Sequence, residues 1–151
     1  MNKVIAIACD HAALEMKAEV MAHLKAQGIE CVDYGTYTND SCNYPDYAEK
    51  VCTAIYEGKH EMGILICGTG IGMSMAANKC KGIRAALCCD TFSARFTRLH
   101  NNANVLCMGA RVLGAGLACD IADVFVNTGF EGGRHQTRVD MIMALEEKIS
   151  K

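Results

Sequence analysis

The chain has 151 residues, 51% hydrophobic and 21% charged, with a net charge of −2. That length fits one domain over 1–151 with a sizeable core, and the balance excludes a disordered chain and a basic nucleic-acid-binding surface. No apolar run approaches the roughly 20 residues of a membrane span. Strand and helix signals then alternate along the chain. Residues 4–8 form a short β-branched and alanine run, read as a buried strand that ends before Asp10-His11. The run is too short for the apolar region of a secretory signal. A helix is predicted over 12–27, with Leu14, Ala18, Met21 and Leu24 or Lys25 on one face and Glu15, Lys17, Glu19 and His23 on the other. Gly28 stops it. Residues 29–34 read as a second strand and 35–44 as a polar loop. Pro45, the only proline, fits the first turn of a helix reaching about residue 57.

A third strand over 62–67 ends at Cys67, and Gly68-Thr69-Gly70-Ile71-Gly72 leads into a helix to about residue 79. A fourth strand covers 83–89, and a helix over 91–99 ends at His100-Asn101-Asn102. A fifth strand over 105–108 precedes Gly109-Ala110-Arg111. A helix spans 115–126, a glycine-rich turn 128–133, and a last helix 136–149 with Val139, Ile142, Leu145 and Ile149 on one face. Five strands alternating with helices over short connections predict a doubly wound, Rossmann-like, three-layer α/β/α fold with a five-stranded parallel sheet. Ligands of such folds bind beyond the carboxyl ends of the strands. Asp10, His11, Cys67 with its loop, Asp90 and Arg111 all follow strand ends.

Ten cysteines do not form a disulfide framework on this reading. Cys9, Cys31, Cys67, Cys88 and Cys107 sit in or at the ends of apolar runs, where cysteine acts as a small hydrophobe. No C-x-x-C pair suggests a metal site. Reduced thiols in a cytoplasm are the expectation.

The glycine loop is G-x-G-x-G, with Met73 where a dinucleotide fingerprint has its third glycine. Asp90, about 18 residues on, keeps a ribose-binding acid open, whereas no Lys-Ser or Lys-Thr pair follows to make a P-loop. A strand ending in such a turn presents backbone N–H groups to negative charge. Cys67 is then either a buried small side chain or a base beside an oxyanion seat, and Thr69 either moves protons between oxygens or caps the helix start. His23 and His60 read as solvated, and His135, among arginines, is left open. Asp10 is either a hydroxyl ligand and ring-orienting group or a helix N-cap. His100 with Asn101 is either a general acid or base with an amide beside it or a helix C-cap. Arg134 and Arg138 share a helix face at i, i+4, and with Arg111 read either as a phosphate clamp or as solvated surface.

Together, Cys9-Asp10-His11, Asp33-Tyr34-Gly35-Thr36, Tyr44-Pro45-Asp46-Tyr47-Ala48, the stretch from Gly63 through Gly72, His100-Asn101, Gly109-Ala110-Arg111-Val112 and Glu131-Gly132-Gly133-Arg134-His135-Gln136 with Arg138 resemble the ribose-5-phosphate isomerase B family. Galactose-6-phosphate isomerase subunits belong to the same wider group. The resemblance implies a metal-free, cofactor-free aldose–ketose isomerase interconverting D-ribose 5-phosphate and D-ribulose 5-phosphate. It implies Cys67 as the base and His100 as the residue that opens the sugar ring. Gly68, Thr69, Gly70, Ile71, Gly72 and Asn101 would surround the enediolate, Asp10 the sugar and Tyr44 the furanose ring. His11, Arg111, Arg134 and Arg138 would surround the phosphate. It further implies a homodimer or homotetramer whose site is shared between subunits, with His100 supplied by a neighbour. Six-carbon phosphosugars such as allose 6-phosphate or galactose 6-phosphate, and a non-catalytic nucleotide- or phosphate-binding module, are the alternatives.

Overall fold

The computed structural model describes residues 3–149. Met1, Asn2, Ser150 and Lys151, and the Ile149 side chain expected on the last helix's apolar face, lie outside the described residues. The order is β1 (Val4–Cys9), α1 (Leu14–Ala26), β2 (Glu30–Asp33), α2 (Tyr44–Tyr56), β3 (Gly63–Cys67), α3 (Ile71–Ala77), β4 (Ala85–Leu87), α4 (Thr91–Asn101), β5 (Val105–Gly109), α5 (Ala115–Asn127) and α6 (Arg134–Ile149). All strand pairs are parallel, in the order β2-β1-β3-β5-β4. The chain leaves β1 for β2 on one side and returns to β3 on the other. The crevice between the ends of β1 and β3 is therefore the topological switch point, where ligands of open α/β sheets bind.

Side chains alternate across the sheet with the two-residue period of a strand. Ile5, Ile7, Cys9, Ile64, Ile66, Leu106 and Met108 pack on one face with α1 and α5 residues such as Val20, Leu24, Ile121 and Phe125. Ala6, Ala8, Leu65, Cys67, Val105 and Cys107 pack on the other with Ala48, Val51 and Cys52 of α2 and Met73 and Ala77 of α3. Cys67 thus points to the α2–α3 side because Leu65, two residues earlier, does.

The element types agree with the sequence reading, and some details differ. The α1 core face is Met16, Lys17, Val20 and Leu24, while Ala18 is exposed. Lys17 is buried because its ammonium is neutralised: Nζ donates to Asp33 Oδ1 at 2.8 Å and to the Thr36 carbonyl at 2.7 Å. His60 is likewise buried rather than solvated, held by the Tyr34 hydroxyl at 3.0 Å and the Val4 carbonyl at 3.1 Å. The fourth strand shrinks to three residues, and the Asn78 side-chain amide bonds both backbone groups of Ala85 at its start. Helix α3 starts at Ile71, inside the glycine loop, and ends at Ala77, short of the expected residue 79. On α6, Val139 is buried, whereas Ile142 and Leu145 are exposed. Among the described residues no helix is long and apolar enough to cross a membrane.

Candidate active site

The ends of β1 and β3 carry the first half of the expected set. Asp10 N–H donates to the Ile66 carbonyl at 3.1 Å, which seats Asp10 beside Cys67. The Asp10 carboxylate is only 7% exposed and accepts from Ala12 N–H at 2.9 Å. The cap position of α1 is Ala13, so Asp10 closes a tight turn rather than capping the helix. His11 Nδ1 accepts from Cys42 N–H at 3.3 Å, which ties the polar loop to the site. With Nδ1 as acceptor, the neutral ring carries its proton on Nε2 and offers it as a donor.

Cys67 is 5% exposed, and its sulfur accepts from Gly70 N–H at 3.1 Å. A hydrogen bond of this kind is stronger to an anion than to a neutral group. The bond requires the chain to double back within three residues. Gly70 makes this turn in the left-handed region, at φ 78°. A Cβ there would stand 2.8 Å from the Met108 carbonyl carbon. Gly72 is small for a different reason: a Cβ would meet the Tyr44 ring at 2.6 Å, so Tyr44 lies directly over the loop. Thr69 Oγ1 accepts from Ile71 N–H at 3.3 Å, the capping-type contact at the helix start. With Gly70 N–H on the sulfur and Ile71 N–H on Thr69, the Gly68 and Thr69 N–H groups donate to no carbonyl among the described residues. Both are open donors next to Cys67 in the chain, and a helix of two turns adds little dipole.

Arg111 is brought to the same place by β5. Ala110 N–H and Arg111 N–H donate to the carbonyls of Cys67 and Gly68 at 2.8 and 2.9 Å. The guanidinium packs along Gly68, 3.4 Å from where a Cβ would be. Asp90, by contrast, is used up as the cap of α4, accepting from Ser93 N–H and Oγ at 2.6 and 2.8 Å. These bonds hold its carboxyl below the usual range.

Four other cysteines lie within the core. Burial pushes the thiols of Cys9 up to about 11 and of Cys88 up to about 12, and also raises those of Cys52 and Cys107. They stay protonated and fill space.

The second half of the set lies elsewhere in the same chain. Helix α4 starts after its cap Asp90, beside the carboxyl edge, and runs back antiparallel to the strands. His100 and Asn101 therefore sit at the amino edge, just before β5 begins. Helix α6 lies along that edge: His135 stacks on His100, Met143 accepts from Arg84 at 3.2 Å, and Glu146 accepts from Gly82 N–H at 3.1 Å. Arg134 and Arg138 are exposed at its start, with Arg138 donating to the Arg134 carbonyl at 2.9 Å. The chain thus brings together Asp10, His11, Tyr44, Cys67, the 68–72 loop and Arg111. It separates them from His100, Asn101, Arg134 and Arg138 by the length of the sheet, on the order of 15 Å for five-residue strands.

Sequence reasoning missed the pairing of Cys42 with His11 and the burial of Lys17, because neither residue stands in a pattern that marks it. It missed the contact of Glu131 with His100 and His135 for the same reason.

Comparison with known proteins matches this arrangement along nearly its whole length. The sequence model described as Ribose/Galactose Isomerase matches residues 5–142. Ribose-5-phosphate isomerase B of Escherichia coli (strain K12) is 47% identical over 146 residues, 97% of this chain and 98% of that protein. The structure of Clostridium thermocellum ribose-5-phosphate isomerase B is 47% identical and superimposes with a TM-score of 0.94, covering 97% of this chain and 99% of that chain. Mycoplasma genitalium ribose-5-phosphate isomerase B, solved with bound ribulose 5-phosphate, is 42% identical with a TM-score of 0.93, covering 98% of this chain and 99% of that chain. A match of this extent, on a parallel sheet whose switch point holds a cysteine and a glycine loop, shows that the chain belongs to the ribose/galactose isomerase family.

Proposed function

We propose that this chain interconverts D-ribose 5-phosphate and D-ribulose 5-phosphate through a cis-enediolate, with Cys67 as the base. The observation that carries the reading is the sulfur of Cys67 at the switch point, bonded to Gly70 N–H and flanked by the open N–H groups of Gly68 and Thr69. Moving a carbonyl from C1 to C2 needs a base over the carbon acid and donors at the oxygen whose charge grows. The thiolate removes the C2 proton, the N–H pair holds the enediolate oxygen, and the thiol returns the proton to C1. One proton also passes from O2 to O1. This reading gives that transfer to Thr69, whose oxygen accepts from Ile71 N–H and whose own hydroxyl proton is left to donate. His11 through Nε2 and Arg111 supply donors for the phosphate on the carboxyl edge.

His100, Asn101, Arg134 and Arg138 enter the site from a second copy of the chain. The support is topological: one chain holds the two half-sets at opposite ends of its sheet. On this reading the enzyme is a homodimer, or a homotetramer built from such dimers. His100 opens the furanose, Asn101 contacts the sugar oxygens, and the two arginines close on the phosphate. A reducing cytoplasm suits a site whose base is a thiol.

The test is Cys67→Ala. Turnover of ribose 5-phosphate should fall by about 10³-fold or more, as for loss of an acid–base group, while calorimetric binding of the sugar phosphate persists. Near-wild-type turnover in this variant sinks the assignment. A rate panel of five- and six-carbon aldose phosphates fixes the chain length, and ribose 5-phosphate should lead it.

A further inference from the structure

The surroundings of His100 have a form that helix capping does not require. His100 and His135 stack face to face, with ring centroids 4.1 Å apart and planes 8° from parallel. Phe96, one turn earlier on α4, meets His100 edge-on at 4.9 Å. Glu131 Oε2 stands 3.8 Å from His100 Nε2 and 3.4 Å from His135 Nε2, so one carboxylate faces both rings. The turn carrying Glu131 is fastened to α4 twice: Glu131 N–H donates to the Leu99 carbonyl at 3.1 Å, and Arg98 Nε donates to the Thr128 carbonyl at 3.2 Å. Arg98 is itself buried against the Phe125 ring.

We propose that Glu131 and His135 are positioning residues for His100, fixing its ring plane and keeping its exchangeable proton available for opening the furanose. The inference rests on the reading of His100 given above. Ring opening breaks the C1–O4 bond, adds a proton to O4, removes one from O1 and forms the C1 carbonyl. No proton is consumed, so one imidazole serves both ends if its plane is held steady between the two oxygens. The stack with His135 and the edge of Phe96 prevent rotation out of that plane. Two stacked imidazoles do not readily carry charge together. Burial, His100, and the arginines Arg134 and Arg138 all push His135 below the usual histidine value, against the pull of Glu131. His135 therefore serves the pair as a flat, neutral stacking partner. The three groups also lie close enough to hold a cation, with ligand atoms within 4.8 Å of one another. Parallel rings, however, direct their in-plane lone pairs side by side rather than to one point.

The experiment isolates ring opening from proton abstraction. In Cys67→Ala protein the enediolate cannot form, and exchange between the α and β anomers of [1-13C]ribose 5-phosphate is followed by exchange NMR. Cys67→Ala should accelerate that exchange over buffer, and adding His100→Asn should abolish the acceleration. Adding Glu131→Gln or His135→Ala should reduce it by about fivefold or more, with half-saturation changed by less than about twofold. His135→Phe, which keeps the flat stack, should restore part of what His135→Ala loses. Circular dichroism confirms that each variant is folded. Acceleration unchanged in both Glu131→Gln and His135→Ala overturns the clamp alone. Acceleration that survives His100→Asn overturns the ring-opening reading and, with it, the purpose of the clamp. No acceleration in Cys67→Ala itself does the same. Acceleration lost on adding a chelator replaces the clamp with a cation site.

Discussion

Mixed oligomers test the division of the site directly. Cys67→Ala removes the proposed base from the carboxyl edge of a chain, and His100→Asn removes the proposed ring-opening group from its amino edge. Each variant alone should be slower than wild type by roughly 10²–10⁴-fold, since every site in the assembly carries the defect. When the two are co-expressed in equal amounts, chance pairing makes about half of the dimers mixed. In a mixed dimer, one site takes Cys67 from one chain and His100 from the other, and both are intact. The second site carries both defects. Specific activity should therefore recover to about one quarter of wild type, far above either parent. The same fraction holds for a tetramer assembled from such dimers. The assay is the initial rate of ribulose 5-phosphate formation on the purified mixture, normalised to total protein. The alternative geometry, with Cys67 and His100 of one chain meeting in one site, leaves a defect in every site of every oligomer. Activity no higher than the mean of the two parents refutes the shared site.

Three further substitutions probe how the site is held. Gly70→Ala forces an alanine into the left-handed region with a Cβ against Met108, and should cost about 2–4 kcal/mol in a urea titration while displacing the N–H from the Cys67 sulfur. A loss below about 0.5 kcal/mol with full activity contradicts the geometry. Lys17→Met strips Asp33 and the Thr36 carbonyl of their buried partner, and should cost about 2–3 kcal/mol, read from the shift in denaturation midpoint. An unchanged midpoint shows that the pair contributes nothing. Arg138→Ala should raise KM for ribose 5-phosphate by about tenfold, with kcat falling less, because a phosphate clamp binds ground and transition states alike. An equal fall in kcat and kcat/KM places the arginine at the reacting atoms instead.

Much of the fold was legible because it depends on local pattern. Short β-branched runs ending at Asp10, Cys67 and Gly109 mark strands, and glycine or proline at the helix ends marks their limits. The candidate base stands out for the same reason: a cysteine at a strand end before alternating glycines has a position as well as an identity. Burial of polar side chains was not legible, since periodicity sorts by residue type. Lys17 lies on the core face of α1 because Asp33 and Thr36, distant in sequence, neutralise it. The division of the site, implied by the family resemblance, is not carried by residue spacing. His100 and Cys67 both follow regular elements, but one ends a helix and the other a strand, and helices here run against the strands. Residues after a strand gather at the carboxyl edge, and residues closing a helix gather at the amino edge. Applied to Arg134 and Arg138, which begin a helix that follows α5 back at the amino edge, the rule places them with His100. The glycine loop and the arginines, read side by side in sequence as parts of one pocket, thus belong to opposite ends of a chain. In the proposed assembly a second chain unites them, oriented so that the amino edge of one sheet covers the switch point of the other.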